Sequence, residues 1–295
     1  MKYTITGGAG NISKPLVKTL LAEGHIVTVI GRNEVHLESL TKLGAKAAIG
    51  SVEDVAFLTE AFTGADAVYT MVPPKWDAPV WKDYIGHIGQ NFTAAITAAG
   101  VKKVVNLSSI GAHMPEGCGP VSGLYKAEQA LNELTGVDIR HLRPAYFFHN
   151  LLANIGMIKG AGIIGGNFGG SDDKLVMVHP ADIAEAAAEE LLKLDFAGHT
   201  IRYIASDEIT GAELAQAIGA AIGNPALPWV EFSDDQNLEG MLQAGLPKDI
   251  ASNYSEMGNA IRTGKMSEDY WKNHPILSKH KLADFVKEFA AAYAA

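Results

Sequence analysis

The residues best suited to chemistry lie where short apolar segments end in the first half of the chain. The first segment, KYTIT, runs into TGGAGNIS at residues 6–13, which holds three glycines. Glycines between a strand and a helix let backbone N–H groups reach a pyrophosphate, and the positive end of the helix dipole adds attraction. We therefore predict a dinucleotide-binding turn in which Gly7, Gly10, Asn11 and Ile12 contact the phosphates. The alternative is an ordinary tight turn.

Ser13 stands where this type of motif usually has a third glycine. The spacing from Gly7 is G-x-x-G-x-x-S, and the third glycine normally lets the helix pack closely on the strand. Because serine is small, we expect the turn to keep its binding function.

The residues after the second apolar segment, HIVTVIG, indicate which dinucleotide is bound. An acidic side chain at this point accepts hydrogen bonds from the ribose of NAD, whereas an arginine pairs with the 2′-phosphate of NADP. The chain has Arg32 here, followed by Asn33. We predict a preference for NADP(H), leave NAD(H) open, and count Asn33 and Ser51 as cofactor-binding residues. A solvated arginine is the alternative for Arg32.

Further candidates follow later strand ends, because ligands of parallel α/β sheets bind outside the carboxyl ends of the strands. The cofactor-binding candidates there are Met71, Val72, Pro73, Ser108, Ser109, Pro144 and Tyr146. Aromatic rings stack on flat acceptors, although they more often belong to a core. The substrate-binding candidates are Trp76, Tyr125, Phe147, Phe148 and His149.

Three residues are candidates for catalysis. Lys126 is expected to hydrogen-bond the nicotinamide ribose, and is therefore also a cofactor-binding candidate. Tyr146 is a second catalytic candidate, and His113 is a candidate proton donor, as is the substrate-binding candidate His149. The alternatives are an exposed helix lysine, an aromatic core residue and an exposed loop histidine.

Composition narrows the function classes. The 295 residues carry a formal net charge of −9, so no positive excess is available for a nucleic-acid backbone. The single cysteine, Cys118, excludes an intrachain disulfide, and no histidine or cysteine pattern predicts a metal site. Neither a secretory leader nor an apolar run of about 18 residues is visible, which predicts a cytoplasmic protein without a membrane segment.

The elements that must position these residues alternate along residues 2–145. Short β-rich segments alternate there with helical patterns, which is typical of a parallel sheet covered on both faces. We count six strands and predict a Rossmann-type, doubly wound α/β fold with a smaller, mainly helical C-terminal lobe. The expected domains are an NAD(P)-binding domain at 1–155 and a substrate-binding lobe at 156–295, with elements around 174–205 returning to the first domain.

Several segments together resemble the NmrA-like branch of atypical short-chain dehydrogenases/reductases, which includes type-2 quinone oxidoreductases, triphenylmethane reductase and NADPH-sensing regulators. The resemblance spans nearly the whole chain and rests on TGGAGNIS, VIGRNE, VKKVVNLSSIGAH, KAEQALNEL, RHLRPAYFFHN and VHPADIAEAAAEEL. It implies a Rossmann-type domain, an NAD(P) cofactor and a substrate cleft between two lobes.

The catalytic pair of classical members is absent. They carry Tyr-x-x-x-Lys, in which the lysine lowers the pKa of the tyrosine so that the phenol acts as acid or base. Here Tyr125 has Gln129 four residues after it, and Lys126 has Ser122 four residues before it. Hydride transfer to a quinone or a conjugated dye remains feasible, because the cofactor supplies the chemistry.

The leading hypothesis is therefore an NADPH-dependent oxidoreductase that passes hydride to a quinone-like or otherwise conjugated small molecule. The alternative is a non-catalytic NADP(H)-sensing regulator that acts through a protein partner, and a nucleotide-sugar epimerase is a weaker third hypothesis. We expect a small-molecule electron acceptor as the partner, and the sequence leaves a homodimer open.

Overall fold

A seven-stranded parallel sheet forms the centre of the computed structural model, which describes residues 1–295. The strands along the chain are β1 (Lys2–Ile5), β2 (Ile26–Gly31), β3 (Lys46–Ile49), β4 (Ala67–Thr70), β5 (Lys103–Leu107), β6 (Asp138–Pro144), β7 (Tyr146–Phe147), β8 (Ile164–Gly166), β9 (Lys174–Val178), β10 (His199–Ile204), β11 (Asp207–Thr210) and β12 (Trp229–Glu231). The order across the large sheet is β10-β6-β5-β4-β1-β2-β3, and every neighbouring pair is parallel. The Rossmann-type fold and its six expected strands are confirmed, and β10 adds a seventh.

Helices cover both faces of this sheet. They are α1 (Ser13–Ala22), α2 (Glu34–Thr41), α3 (Val55–Phe62), α4 (Trp81–Ala99), α5 (Pro120–Asn132), α6 (Ile155–Ala161), α7 (Pro180–Lys193), α8 (Gly211–Ala221), α9 (Asp234–Gln243), α10 (Lys248–Arg262), α11 (Glu268–Asn273) and α12 (Leu282–Ala294), with a 3₁₀ segment at Phe148–Asn154. Side chains of α1, α2 and α7 form an apolar core on one face, and those of α3, α4 and α5 form another on the opposite face. None of the helices combines the length and the apolar character needed to cross a bilayer.

The strand order reverses beside β1. The chain proceeds from β1 to β2 and β3 on one side, and β4, β5 and β6 follow on the other side. In open α/β sheets, the crevice outside the carboxyl ends of the strands at such a reversal is where ligands bind. The glycine-rich turn at residues 6–13 lies at the carboxyl end of β1 and therefore at this crevice.

The C-terminal part of the chain combines helices with two small sheets. One sheet has the order β11-β9-β7, and the other pairs β12 with β8. α8 and α12 pack together over a separate apolar core that includes Phe148, Phe285 and Phe289. The predicted C-terminal lobe is present, and its strands add to the helical character that the sequence indicates.

The elements around residues 174–205 are divided between the two parts of the molecule. α7 packs against α1, and β10 pairs with β6 in the large sheet. β9 instead pairs with β11 and β7 in a small sheet. The domain boundary after residue 155 stays a prediction, since β7 lies before it and already pairs with the later part of the chain.

Candidate active site

The glycine-rich turn joins β1 to α1 in a conformation that its glycines permit. Gly7 and Gly8 have φ angles of 90° and 56°, which residues with side chains rarely adopt. A Cβ atom on Gly7 would lie 2.5 Å from the hydroxyl oxygen of Ser13. Gly10 is exposed, and its amide donates a hydrogen bond to the Gly7 carbonyl at 3.2 Å. The turn is thus held by internal contacts, with bare backbone at Gly10 on its surface.

Ser13 replaces close glycine packing with a hydrogen bond. Its side chain is buried, and its Oγ donates to the carbonyl oxygen of Thr6 at 2.9 Å. This bond ties the first residue of α1 to the end of β1. The helix therefore remains close to the strand although the third glycine is absent.

The start of α1 has backbone donors without partners. The amides of Asn11 and Ile12 make no hydrogen bond within the chain, and no side chain caps the helix. Such N–H groups, together with the positive end of the helix dipole, favour an anionic oxygen. The turn and the helix start fit the pyrophosphate of a dinucleotide, which is the role that the sequence predicts for them.

Arg32 follows β2 and lies close to the glycine-rich turn, because the amide of Gly8 donates a hydrogen bond to the carbonyl of Ile30 at the end of β2. Arg32 is exposed and forms no ion pair, whereas Lys75 pairs with Glu53 at 3.0 Å. Asn33 caps α2 by accepting a hydrogen bond from an amide of its first turn. The Ser51 hydroxyl accepts one from the Glu53 amide at 3.2 Å. Arg32 is available for a phosphate, while Asn33 and Ser51 shape the neighbouring loops.

An apolar cavity of about 240 Å³, here called the inner cavity, lies at the carboxyl ends of β4, β5 and β6. The predicted residues that line it are Val72, Pro73, Ser109, Tyr146 and Phe147. Met71 lies beside it against the turn, and Ser108 and Pro144 are buried below it. The structure therefore brings most of the strand-end candidates to one place.

The inner cavity continues into a larger space of about 980 Å³, here called the chamber, which is bordered by α9 and α10. The residues that line both spaces are Tyr146, Asn150, Tyr254 and Met257. Trp76 and His149, two of the predicted substrate-binding residues, line the chamber. The cleft is thus a narrow apolar end joined to a wide outer part.

Sequence reasoning missed the contribution of α10 to this cleft. Tyr254 and Met257 face the two spaces, while Ile250 and Ala251 on the same helix are buried. The ring of Tyr254 stacks on Trp76 with centroids 6.0 Å apart. The amphipathic pattern of residues 248–262 signals a half-buried helix. Nothing local in that pattern shows that the helix folds back over the sheet edge.

Tyr146 stands at the junction of the inner cavity and the chamber. Removal from water raises the pKa of its phenol to about 12, and a hydrogen bond with Asn150 acts in the opposite direction. No lysine or arginine lines either space. The phenol therefore keeps its proton at neutral pH and can donate a hydrogen bond to an acceptor oxygen.

The structure places Lys126 outside the cleft, in contrast to its predicted catalytic and ribose-binding roles. Its Nζ atom lies 2.7 Å from Oδ1 of Asp83 on α4, and 48% of its side chain is exposed. The face of α5 that lines the inner cavity carries Val121 and Leu124. Lys126 lies on a different face and packs over Gly86 of α4.

Three other candidates for catalysis or substrate binding line neither space. His113 is half-buried in the loop after β5, and Tyr125 lies beside Lys126 on α5. Phe148 is fully buried, with its ring centroid 5.2 Å from that of Phe285. Phe148 is therefore a core residue, because the chain turns inward after β7.

His149 reaches the chamber and shares a carboxylate with a second histidine. The Nε2 atoms of His149 and His179 lie 3.2 Å and 3.0 Å from Glu288, and the ligand atoms of the three residues all lie within 4.8 Å of one another. The Nδ1 atom of His179 accepts a hydrogen bond from the Ala181 amide. In a neutral ring, Nε2 then carries the hydrogen and donates a hydrogen bond to Glu288. The group is a hydrogen-bonded network in which this nitrogen offers a metal no lone pair.

Several known proteins are similar to this chain. The NAD(P)H azoreductase of Xenophilus azovorans is 25% identical over 253 residues, covering 86% of this chain and 85% of the azoreductase. The structure of an NADPH-dependent quinone oxidoreductase from Escherichia coli, complexed with NADPH, matches with a TM-score of 0.76 at 21% identity and covers 97% of this chain and 99% of its own. That of the Citrobacter sp. triphenylmethane reductase, complexed with NADP(H), matches with a TM-score of 0.80 at 22% identity and the same coverage of 97% and 99%. The resemblance to the NmrA-like branch is confirmed.

A family model described as NAD(P)H-binding matches residues 7–193. The matched stretch includes the glycine-rich turn, Arg32 and the strand ends at the inner cavity. Because the match spans more than half of the chain, this protein belongs to that NAD(P)H-binding family.

Proposed function

We propose that the protein is an NADPH-dependent reductase that transfers hydride to a quinone-like or otherwise conjugated small molecule. The observation that carries this proposal is the inner cavity, which lies at the carboxyl ends of the strands and opens into the chamber. In a Rossmann-type sheet the nicotinamide reaches this edge, so a flat acceptor in the cavity would lie beside it. The names of the similar azoreductase, quinone oxidoreductase and triphenylmethane reductase support the same reaction class.

The residues around the turn fit this cofactor. The amides of Asn11 and Ile12 are available to the pyrophosphate, and Gly10 leaves the approach clear of a side chain. Arg32 offers a planar, doubly donating group to a 2′-phosphate, which supports NADPH over NADH. Bound NADPH supplies the hydride, so that the acceptor gains two electrons and takes up one proton from water.

Within the cleft, the side chains position the acceptor and exclude water from it. Val72 and Pro73 form a stiff apolar wall, and orientation of this kind is itself a large catalytic contribution. The neutral phenol of Tyr146 donates a hydrogen bond to an oxygen of the acceptor. Because no lysine stands beside that phenol, the site favours acceptors that solvent can protonate. Alcohol oxidation and sugar epimerisation, which need a readily ionised tyrosine, fit it less well.

The proposal is tested by following NADPH absorbance with a panel of quinones in the absence of oxygen. We expect consumption well above the uncatalysed rate, with one NADPH oxidised for each quinone reduced. Gly10→Val is the matched control, since it adds a side chain at the pyrophosphate and should leave only the background rate. Tight NADPH binding without turnover of any acceptor would contradict the reductase and favour the cofactor-sensing regulator.

The finer expectations from the sequence remain part of this proposal. They are a cytoplasmic location, a small-molecule electron acceptor as the partner, and a homodimer whose presence light scattering would test. The net charge of −9 gives no reason to add a nucleic acid to these partners.

A further inference from the structure

The chamber beside the inner cavity has a composition that restricts what can enter it. Its lining includes no lysine, arginine, aspartate or glutamate. Burial lowers the pKa of His149, outweighing the opposite effect of Glu288. Burial also raises the pKa values of the Tyr146 and Tyr254 phenols. At neutral pH, every side chain that lines the chamber is therefore uncharged.

We infer that the acceptor is an uncharged, bulky conjugated molecule whose reactive ring enters the inner cavity and whose remaining part, carrying neutral hydrogen-bonding groups, fills the chamber. This inference rests on the proposed reductase function and specifies its substrate class. The two spaces measure about 240 and 980 Å³, whereas cavities for drug-sized ligands measure about 300–1,000 Å³. The chamber, rather than the inner cavity, has the size of such a ligand.

The apolar side chains of the chamber suit a large ligand of irregular shape. Met157, Met241 and Met257 supply flexible thioether side chains, and Trp76 and Phe168 supply flat rings. Unbranched methionines adapt to irregular shapes, and aromatic rings stack on conjugated surfaces. Of these, Trp76 is 49% exposed, so its ring offers apolar area for a ligand to cover.

Neutral amides are among the polar groups that line the chamber. Asn237 is half-buried and its side chain makes no hydrogen bond within the chain. Gln236 uses its Oε1 atom to accept from the Ser233 amide at 2.9 Å, which leaves its Nε2 group available. A carbonyl or amide of a neutral ligand would gain hydrogen bonds here. A sulfonate or an ammonium group would lose hydration without gaining an opposite charge.

Two acidic residues in contact with lining residues, Asp234 and Glu288, do not themselves line the chamber. Asp234, at the start of α9, lies 3.0 Å from Arg262 and also accepts a hydrogen bond from Asn167 at 2.9 Å. Glu288 lies 3.2 Å and 3.0 Å from the Nε2 atoms of His149 and His179. Because no charged side chain lines the chamber, an ionic group inside it would have no opposite charge in contact, and we expect the chamber to disfavour both signs of charge.

The experiment uses three naphthoquinones with the same alkyl chain, which ends in a carboxamide, a sulfonate or a trimethylammonium group. Calorimetry on the protein saturated with NADP⁺ gives the three Kd values. We expect the carboxamide compound to bind about tenfold or more tightly than either charged compound, with the same order in kcat/KM. Equal Kd values, or tighter binding of a charged compound, would overturn the inference.

The two proposals fail separately in this design. Turnover of naphthoquinone without any chain reports on the reductase function alone. If that turnover is seen and the three Kd values are equal, only the inference about the chamber is wrong. If no turnover is seen, the reductase proposal is wrong, and the order of the Kd values still decides the chemistry of the chamber.

A pair of variants locates the discrimination. Asn237→Asp adds a carboxylate inside the chamber, and we expect the trimethylammonium compound to bind about five- to tenfold more tightly than to the native protein. Gln243→Glu adds the same charge to α9 outside the chamber and should leave the native order of Kd values unchanged. Equal shifts in both variants would show a long-range field and contradict the assignment. Should Asn237→Asp not fold, the Kd values of the native protein remain decisive.

Discussion

The two ends of the cleft use different parts of the chain: the cofactor end presents backbone groups, and the acceptor end presents side chains. At the cofactor end, eight consecutive residues, 6–13, supply backbone groups, among them the unbonded amides of Asn11 and Ile12. At the acceptor end, side chains meet from segments far apart in the chain, such as Trp76 after β4 and Tyr254 in α10. The cofactor end therefore depends on local conformation, whereas the acceptor end depends on how distant elements pack.

The largest expected effect is a loss of NADPH affinity at the cofactor end of the cleft. In Gly10→Val, the new Cβ atom would have only the Gly7 carbonyl oxygen nearby, at 3.2 Å, so we expect a folded protein. Its affinity for NADPH should fall by about hundredfold or more, because the side chain occupies the place of the pyrophosphate. Calorimetry measures the loss, and the melting temperature is the control. Unaltered binding would mean that the turn does not hold the phosphates.

The sheet that supports both ends should be sensitive to acid. His141 in β6 is buried, and its ring nitrogens lie 3.1 Å from the side chains of Asn106 and Asn132. Burial lowers its pKa from 6.5 to about 4. The unfolded chain thus takes up the proton at higher pH, so the contribution to stability is complete above about pH 6.5 and is lost as the pH falls toward 4.

The expected loss from His141 is about 3 kcal/mol across this pH range, at about 1.4 kcal/mol per pKa unit. Urea unfolding at a series of pH values measures it, and both ends of the cleft should lose binding together as the sheet weakens. His141→Gln is the control, since it keeps a polar group but does not titrate. An equally steep decline in that variant would assign the acid sensitivity to other residues.

A smaller effect should separate the two halves of the cofactor end. Arg32→Ala removes the unpaired cation after β2. We expect NADPH affinity to fall about ten- to hundredfold, because a charge-assisted hydrogen bond contributes about 1.5–3 kcal/mol. NADH affinity should change little. Arg32→Lys should recover part of the loss, because lysine keeps the charge but not the planar fork. An unchanged ratio of the two Kd values would remove the 2′-phosphate assignment.

The smallest expected effect tests whether the two ends are independent. Tyr254→Leu removes a ring that lines both spaces. The KM for a bulky quinone should rise about three- to tenfold, since stacking of that ring on the quinone would contribute about 0.5–1.5 kcal/mol. The Kd for NADPH should stay the same. A comparable loss of NADPH binding would show that α10 also supports the cofactor end.

Prediction from the sequence succeeded for the large sheet, which follows from a local pattern of residues. The alternation of strands and helices specifies the large sheet, because strands buried on both faces read as apolar runs, as in β4. Local pattern did not indicate where Lys126 and Phe148 lie, and their predicted roles stay predictions. The direction of Lys126 depends on how α5 packs against α4, and the burial of Phe148 depends on Phe285, which lies far along the chain.

The amino-acid sequence alone establishes the Rossmann-type sheet and indicates a dinucleotide turn, since glycine conformation and strand-to-helix spacing act over a few residues. Folding establishes which side chains face the cleft. Tyr146, Tyr254 and Met257 meet there because α10 returns to the carboxyl edge of the sheet. Packing between distant segments has no local signature, so the chamber and its lack of charge become visible only in three dimensions.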